Sequence, residues 1–139
     1  MNELELPPSS DSVPQARRFV RNALRGSSSD IDTVVLLVSE VVTNAVLHAR
    51  SVIRLVVADR AGVARVEVHD ASIVPPRVHR FRVESGTGRG LRLLDRLAMA
   101  WGVDHTAAGG KVVWFEVGSP SEAMWESFAD DLLEVNGDL

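Results

Sequence analysis

Residues 31–48, IDTVVLLVSEVVTNAVLH, constrain the fold more than any other part of the chain. Val34, Leu37, Val38, Val41, Val42 and Ala45 recur at helical spacing and make this segment apolar over a wide arc. A helix of that kind packs on a sheet and on a neighbouring helix at once, rather than floating on the surface by one narrow stripe. Ser29 or Asp30 stands where its N-cap belongs. Three polar residues break the apolar pattern: Glu40, Asn44 and His48, at i, i+4 and i+8, on one face. A solvated face would more often carry Lys, Arg and Glu, and an Asn in mid-helix competes with the backbone for hydrogen bonds. Something other than helix stability selects these residues.

The rest of the chain supplies what such a helix needs to pack against. LELPPSSDSVP holds a short strand before Pro7, then a turn-rich link, and VPQARRFVRNAL places Val13, Ala16, Phe19, Val20, Ala23 and Leu24 at helical spacing before Gly26 ends it. SVIRLVVAD and VARVEVHD are rich in β-branched residues and separated by RAG, which predicts an antiparallel hairpin. Residues 71–88, ASIVPPRVHRFRVESGTG, show no period, and a loop that long inside a domain is usually functional, such as a lid, or disordered. RGLRLLDRLAMA is helical again, with Leu91, Leu94, Leu97 and Ala98 on one face; WGVDHTA and KVVWFEVG form a second hairpin. Ser119 and Pro120 open an acidic last helix, about 120–135, with Trp125, Phe128 and Leu132 as its apolar stripe. The order (β)ααββ–loop–αββα predicts an α+β fold: a two-layer sandwich with helices on one face of a mixed or antiparallel sheet. Trp101 and Trp114 read as core residues, and Lys111 as an exposed charge at a strand start.

At 139 residues the chain is one domain with room for a real core. No apolar run approaches the roughly 20 residues of a bilayer span, the first residues lack a signal pattern, and cysteine is absent, so a cytoplasmic protein without disulfides or thiolate metal sites is expected. The net charge of −4 argues against direct nucleic-acid binding. The charge is uneven. Glu122, Glu126, Asp130, Asp131, Glu134 and Asp138 follow Ser119 with no basic residue among them, while Arg77, Arg80, Arg82, Arg89 and Arg92 crowd one earlier region. Four scattered histidines offer no metal-ligand spacing, and no G-x-S-x-G turn is present.

GTGRGL, residues 86–91, opens a helix, and its glycines let main-chain N–H groups turn toward a bound anion. It is neither a dinucleotide fingerprint, since Leu91 stands where a third glycine would be needed, nor a Walker A loop. In combination the motifs are far more specific. E-x-x-x-N-A-x-x-H-A on a helix, H-D-A-S ending a strand, and a long loop leading to G-x-G-x-G-L resemble the GHKL ATP-binding domain, the Bergerat fold. Within that group the likeness is to the anti-sigma-factor serine/threonine kinases, and it covers about residues 13–117.

The resemblance implies roles residue by residue. Asn44 corresponds to the family's magnesium ligand, a hard amide oxygen suited to holding Mg²⁺ against the ATP phosphates. Glu40, one turn earlier, corresponds to the general base that accepts a proton from the attacking hydroxyl or water. His48 falls at the histidine of the same motif, or bonds a main-chain carbonyl near the helix end. Asp70 corresponds to the carboxylate that accepts from the adenine amino group. Ser72, and Gly86, Thr87, Gly88, Gly90 and Leu91 around the phosphate-facing turn, complete the ATP site; Arg89 either reaches a phosphate or points to solvent. The chain departs from the pattern twice. DASIVPP stands where many relatives have D-x-G-x-G, with Pro75–Pro76 stiffening the start of the lid, and GGKVVWFEV lacks the threonine that relatives place after the glycines, near the adenine.

Those roles imply an ATP- and Mg²⁺-dependent protein kinase that phosphorylates a serine or threonine of an anti-sigma-antagonist (STAS-type) protein, or sequesters a sigma factor, or both. The alternatives are an ATP-dependent interaction module without kinase activity and a stand-alone histidine-kinase-like ATPase domain. No membrane or nucleic-acid partner is implied. The C-terminal helix serves either a homodimer, as among relatives, or the domain's own core.

Overall fold

The computed structural model describes residues 1–71, 89–107 and 109–120, and for 89–91 the backbone alone. Five strands form one sheet: β1 (Asn2–Leu6), β2 (Ile53–Arg60), β3 (Val63–Asp70), β4 (Ala100–His105) and β5 (Lys111–Val117). Their order is β1-β2-β3-β5-β4, and every neighbouring pair is antiparallel. The expected α+β sandwich is the observed one, with a purely antiparallel sheet. β3 and β5 are the join between the two hairpins. The chain leaves β3, returns at the far edge as β4, and turns back to lay β5 between them.

Three helices are described: α1 (Ser12–Ala23), α2 (Ile31–His48) and α3 (Arg89–Leu97). α1 packs on β1, β2 and α2; α2 lies along β2, β3 and β5; α3 touches α2 and β4. The helices therefore cross the sheet in the order α1, α2, α3 on a single face. Strand alternation explains why. Leu55 and Val57 of β2, Val66 and Val68 of β3, and Val113 and Phe115 of β5 share the helix side and form one core with Val34, Leu37, Val38 and Val42 of α2. α2 is long and apolar enough to cross a bilayer by length and composition alone. It is nonetheless a core helix, with Val34, Leu37, Val38 and Val42 each 0% exposed.

The local signals act as expected. The Asp30 carboxylate accepts from the Thr33 backbone amide at 3.2 Å, capping α2. The turn between β2 and β3 needs only Ala61 and Gly62, at φ of 53° and 86°, the left-handed pair of a tight hairpin. Two expectations are corrected. α3 stops at Leu97 rather than running to Ala100, because Ala100 already pairs with Glu116 in the sheet. Trp114 is not a core residue: alternation turns it away from the helices, where the Arg65 guanidinium stacks 4.5 Å over its ring. Trp101 is half-buried against the core, with its indole N–H donating to Asp95 at 2.7 Å.

Candidate functional site

α2 delivers two of the anticipated residues into the interior. Glu40 and Asn44 are 7% and 6% exposed, an unusual degree of burial for a carboxylate and a primary amide on one helix face. At 100° per residue they lie on the opposite margin of the buried arc from Val35 and Val42. His48 is half-buried at the last helical residue.

The sheet supplies the opposing wall. Asp70 is the last residue of β3 and Lys111 the first of β5, and the two are direct partners across the ladder. Both share the helix-facing side with Val68 and Val113. They are 7% and 5% exposed, with Lys111 Nζ 3.8 Å from Asp70 Oδ2. The expectation of an exposed Lys111 is therefore overturned. Alternation along Lys111, Val113, Phe115 and Val117 turns all four toward the helices, and the Asp70 carboxylate compensates the buried ammonium. That same alternation, applied to the only lysine in the chain, was the signal that would have found it.

The glycines before β5 make this approach possible. A side chain at Gly110 would run into the backbone carbonyl of Asp70. Gly110 N–H donates to the Thr106 hydroxyl at 3.0 Å, and Gly109 adopts φ of 95°. On the other side of Asp70, the Ala71 amide donates to the Ser51 hydroxyl at 3.0 Å.

Helix and sheet elements meet at the same level. The Asp30 amide donates to the Gly118 carbonyl at 2.8 Å, so α2 starts beside the end of β5 and runs back along it. From Gly118 to Lys111 the strand covers about 23 Å at roughly 3.3 Å per residue, and a helix covers that distance in about fifteen residues. Fifteen residues from Asp30 is the neighbourhood of Asn44, which sets Asn44 toward the Asp70–Lys111 end of the sheet with Glu40 one turn short of it. α3 begins at Arg89 on the flank of α2. Chemically the arrangement offers two carboxylates, one neutral amide and one ammonium, all withdrawn from bulk water.

Ser72, Gly86, Thr87, Gly88 and the Pro75–Pro76 pair lie outside the described residues, as does the acidic stretch after Pro120. Arg89, Gly90 and Leu91 form the first turn of α3 in the backbone. Among the described residues no group of three His, Cys, Asp or Glu side chains is placed to hold a metal ion.

A second polar cluster occupies the opposite face of the sheet. Glu67 receives Arg65 Nε at 3.2 Å and lies 2.8 Å from His69 Nε2, while Arg65 also reaches Glu116 at 3.5 Å. Burial raises the Glu67 carboxyl, but hydrogen bonds from His69 and Arg65, with their charges, outweigh it and hold the group below its ordinary range.

A family model described as the histidine kinase-like ATPase domain matches residues 6–117, from the end of β1 to the end of β5. No curated protein matches the chain.

Proposed function

The chain belongs to the histidine kinase-like ATPase domain family, and from that premise we propose that it binds ATP between α2 and the Asp70 end of the sheet and transfers the γ-phosphate to a serine or threonine of a partner protein. The partner class that fits the motif set is an anti-sigma antagonist, with sequestration of a sigma factor as the regulated output. The observation that carries this reading is the burial of Glu40 and Asn44 on one face of α2, together with the buried Asp70–Lys111 pair on the helix-facing side of the sheet.

Each residue has a task. Asp70 accepts a hydrogen bond from the purine amino group. Asn44 would hold magnesium through its amide oxygen, and the ion would supply neutralisation of the charge on the triphosphate. Glu40, one turn away, takes the proton of the serine hydroxyl as its oxygen attacks the γ-phosphorus and ADP departs. Burial keeps water from competing for the reacting phosphate.

The test is transfer of labelled γ-phosphate from Mg-ATP to a purified antagonist protein. Glu40→Gln should reduce transfer by about a hundredfold or more, the usual contribution of a positioned base, while ATP affinity stays within a few-fold. Wild-type protein that binds ATP but never labels an antagonist would remove the kinase step. That outcome would favour the second reading, an ATP-dependent interaction module. The altered DASIVPP and the lack of a threonine in GGKVVWFEV, where Val112 and Val113 offer no hydroxyl, support that alternative.

A further inference from the structure

We infer that Lys111 is a specificity-determining residue of the nucleotide site: with Asp70 it forms a donor–acceptor pair that admits guanine as well as adenine nucleotides. The inference rests on the proposed ATP site and deepens it.

Asp70 and Lys111 are ladder partners, so their side chains leave the sheet side by side on the helix-facing side. The lysine side chain is only 6% exposed, and its Nζ sits 3.8 Å from an Asp70 carboxylate that is 2% exposed. A lysine wanted only for solubility would extend its stem and place the ammonium in water. This one instead keeps its charge beside the carboxylate assigned to the base.

An ionised carboxylate only accepts hydrogen bonds, and an ammonium only donates them. Adenine presents an amino donor at position 6 and an acceptor at N1. Guanine reverses both, with a keto acceptor at position 6 and a donor at N1. A lone aspartate therefore accepts from adenine and repels the guanine oxygen. Adding Lys111 changes that balance. With adenine, Asp70 takes the amino N–H and the ammonium donates to N1. With guanine, Asp70 takes N1–H and the ammonium donates to the keto oxygen. The flexible four-carbon stem of lysine lets one ammonium serve either position. The repulsion that excludes guanine from a carboxylate-only site is thereby offset.

Isothermal titration of the full chain with ATP and GTP in magnesium tests this directly. Wild-type protein should bind GTP within about tenfold of ATP. Lys111→Met removes the ammonium's hydrogen bond from both bases, but only guanine is then left with a keto oxygen facing the Asp70 carboxylate uncompensated, so the preference for ATP over GTP should rise by about tenfold or more. The wild-type comparison decides the matter even if the variant fails to fold. ATP binding with GTP rejected by more than about tenfold, in the direction of a site built around one hydrogen-bond pattern, overturns the role of Lys111 and leaves the ATP site intact. An unchanged ratio in folded Lys111→Met overturns it equally. Absence of binding by either nucleotide instead overturns the ATP site itself.

Discussion

The backbone amide of Asp30 donates to the carbonyl of Gly118 at 2.8 Å, fastening the first turn of α2 to the end of β5. The same residue caps the helix, accepting from the Thr33 amide at 3.2 Å and the Thr33 hydroxyl at 2.8 Å. Since the distance from this point along α2 decides how far Asn44 reaches toward the Asp70 end of the sheet, one buried aspartate sets the register of helix against sheet. Asp30→Ala removes the cap and leaves the Thr33 hydroxyl without its acceptor. Urea unfolding should show a loss of about 1–2 kcal/mol. Asp30→Asn, which keeps an accepting oxygen, should recover most of it. Equal stability of the alanine variant and the wild type would show that the cap contributes nothing.

Asn44 gives a prediction specific to the metal. Its amide is neutral and buried, so its replacement introduces no stray charge. Asn44→Ala should weaken ATP binding in magnesium by at least about tenfold, comparable to losing a supporting residue of a metal site. Binding with the metal chelated should change far less. If the variant loses affinity equally with and without magnesium, Asn44 contacts the nucleotide or supports the fold instead of holding the ion.

What the sequence disclosed follows from the range of the interactions involved. α2 and its cap were legible because helix period and capping are local, and the β2–β3 hairpin because its turn is two residues long. Glu40, Asn44 and Asp70 stood out because polar groups interrupt apolar patterns there. The union of β3 with β5 was not legible, since strand pairing across a long connection leaves no local mark. Trp114 and Lys111 were misassigned for a related reason. Residue type suggested core for one and surface for the other, whereas strand parity reverses both. Val112 lies between Lys111 and Val113 on the far side of the sheet, beside His69 and Asp104, so it is Lys111 and Val113 that face the helices.

The far face of the sheet yields the pH dependence. Glu67 sits between Arg65 and His69, with Glu116 sharing Arg65 and Arg54 held by Glu3 at 3.2 Å further along the face. Burial pushes its carboxyl up, but the hydrogen bonds from His69 and Arg65 prevail and lower it from the ordinary 4.5. A carboxyl that is more acidic folded than unfolded contributes stability in full above its unfolded value. That contribution fades as pH falls toward the folded value, where the folded protein must also take up the proton. Glu67→Gln should therefore be less stable than wild type by about 1 kcal/mol at neutral pH, the scale of one hydrogen-bonded ionic contact. The gap should narrow steadily below about pH 5 as the wild-type advantage is titrated away. Urea unfolding of both proteins at intervals from neutral pH into the acid range measures it. A gap that stays constant through that range would mean that the ionised form of Glu67 is not what Arg65 and His69 stabilise.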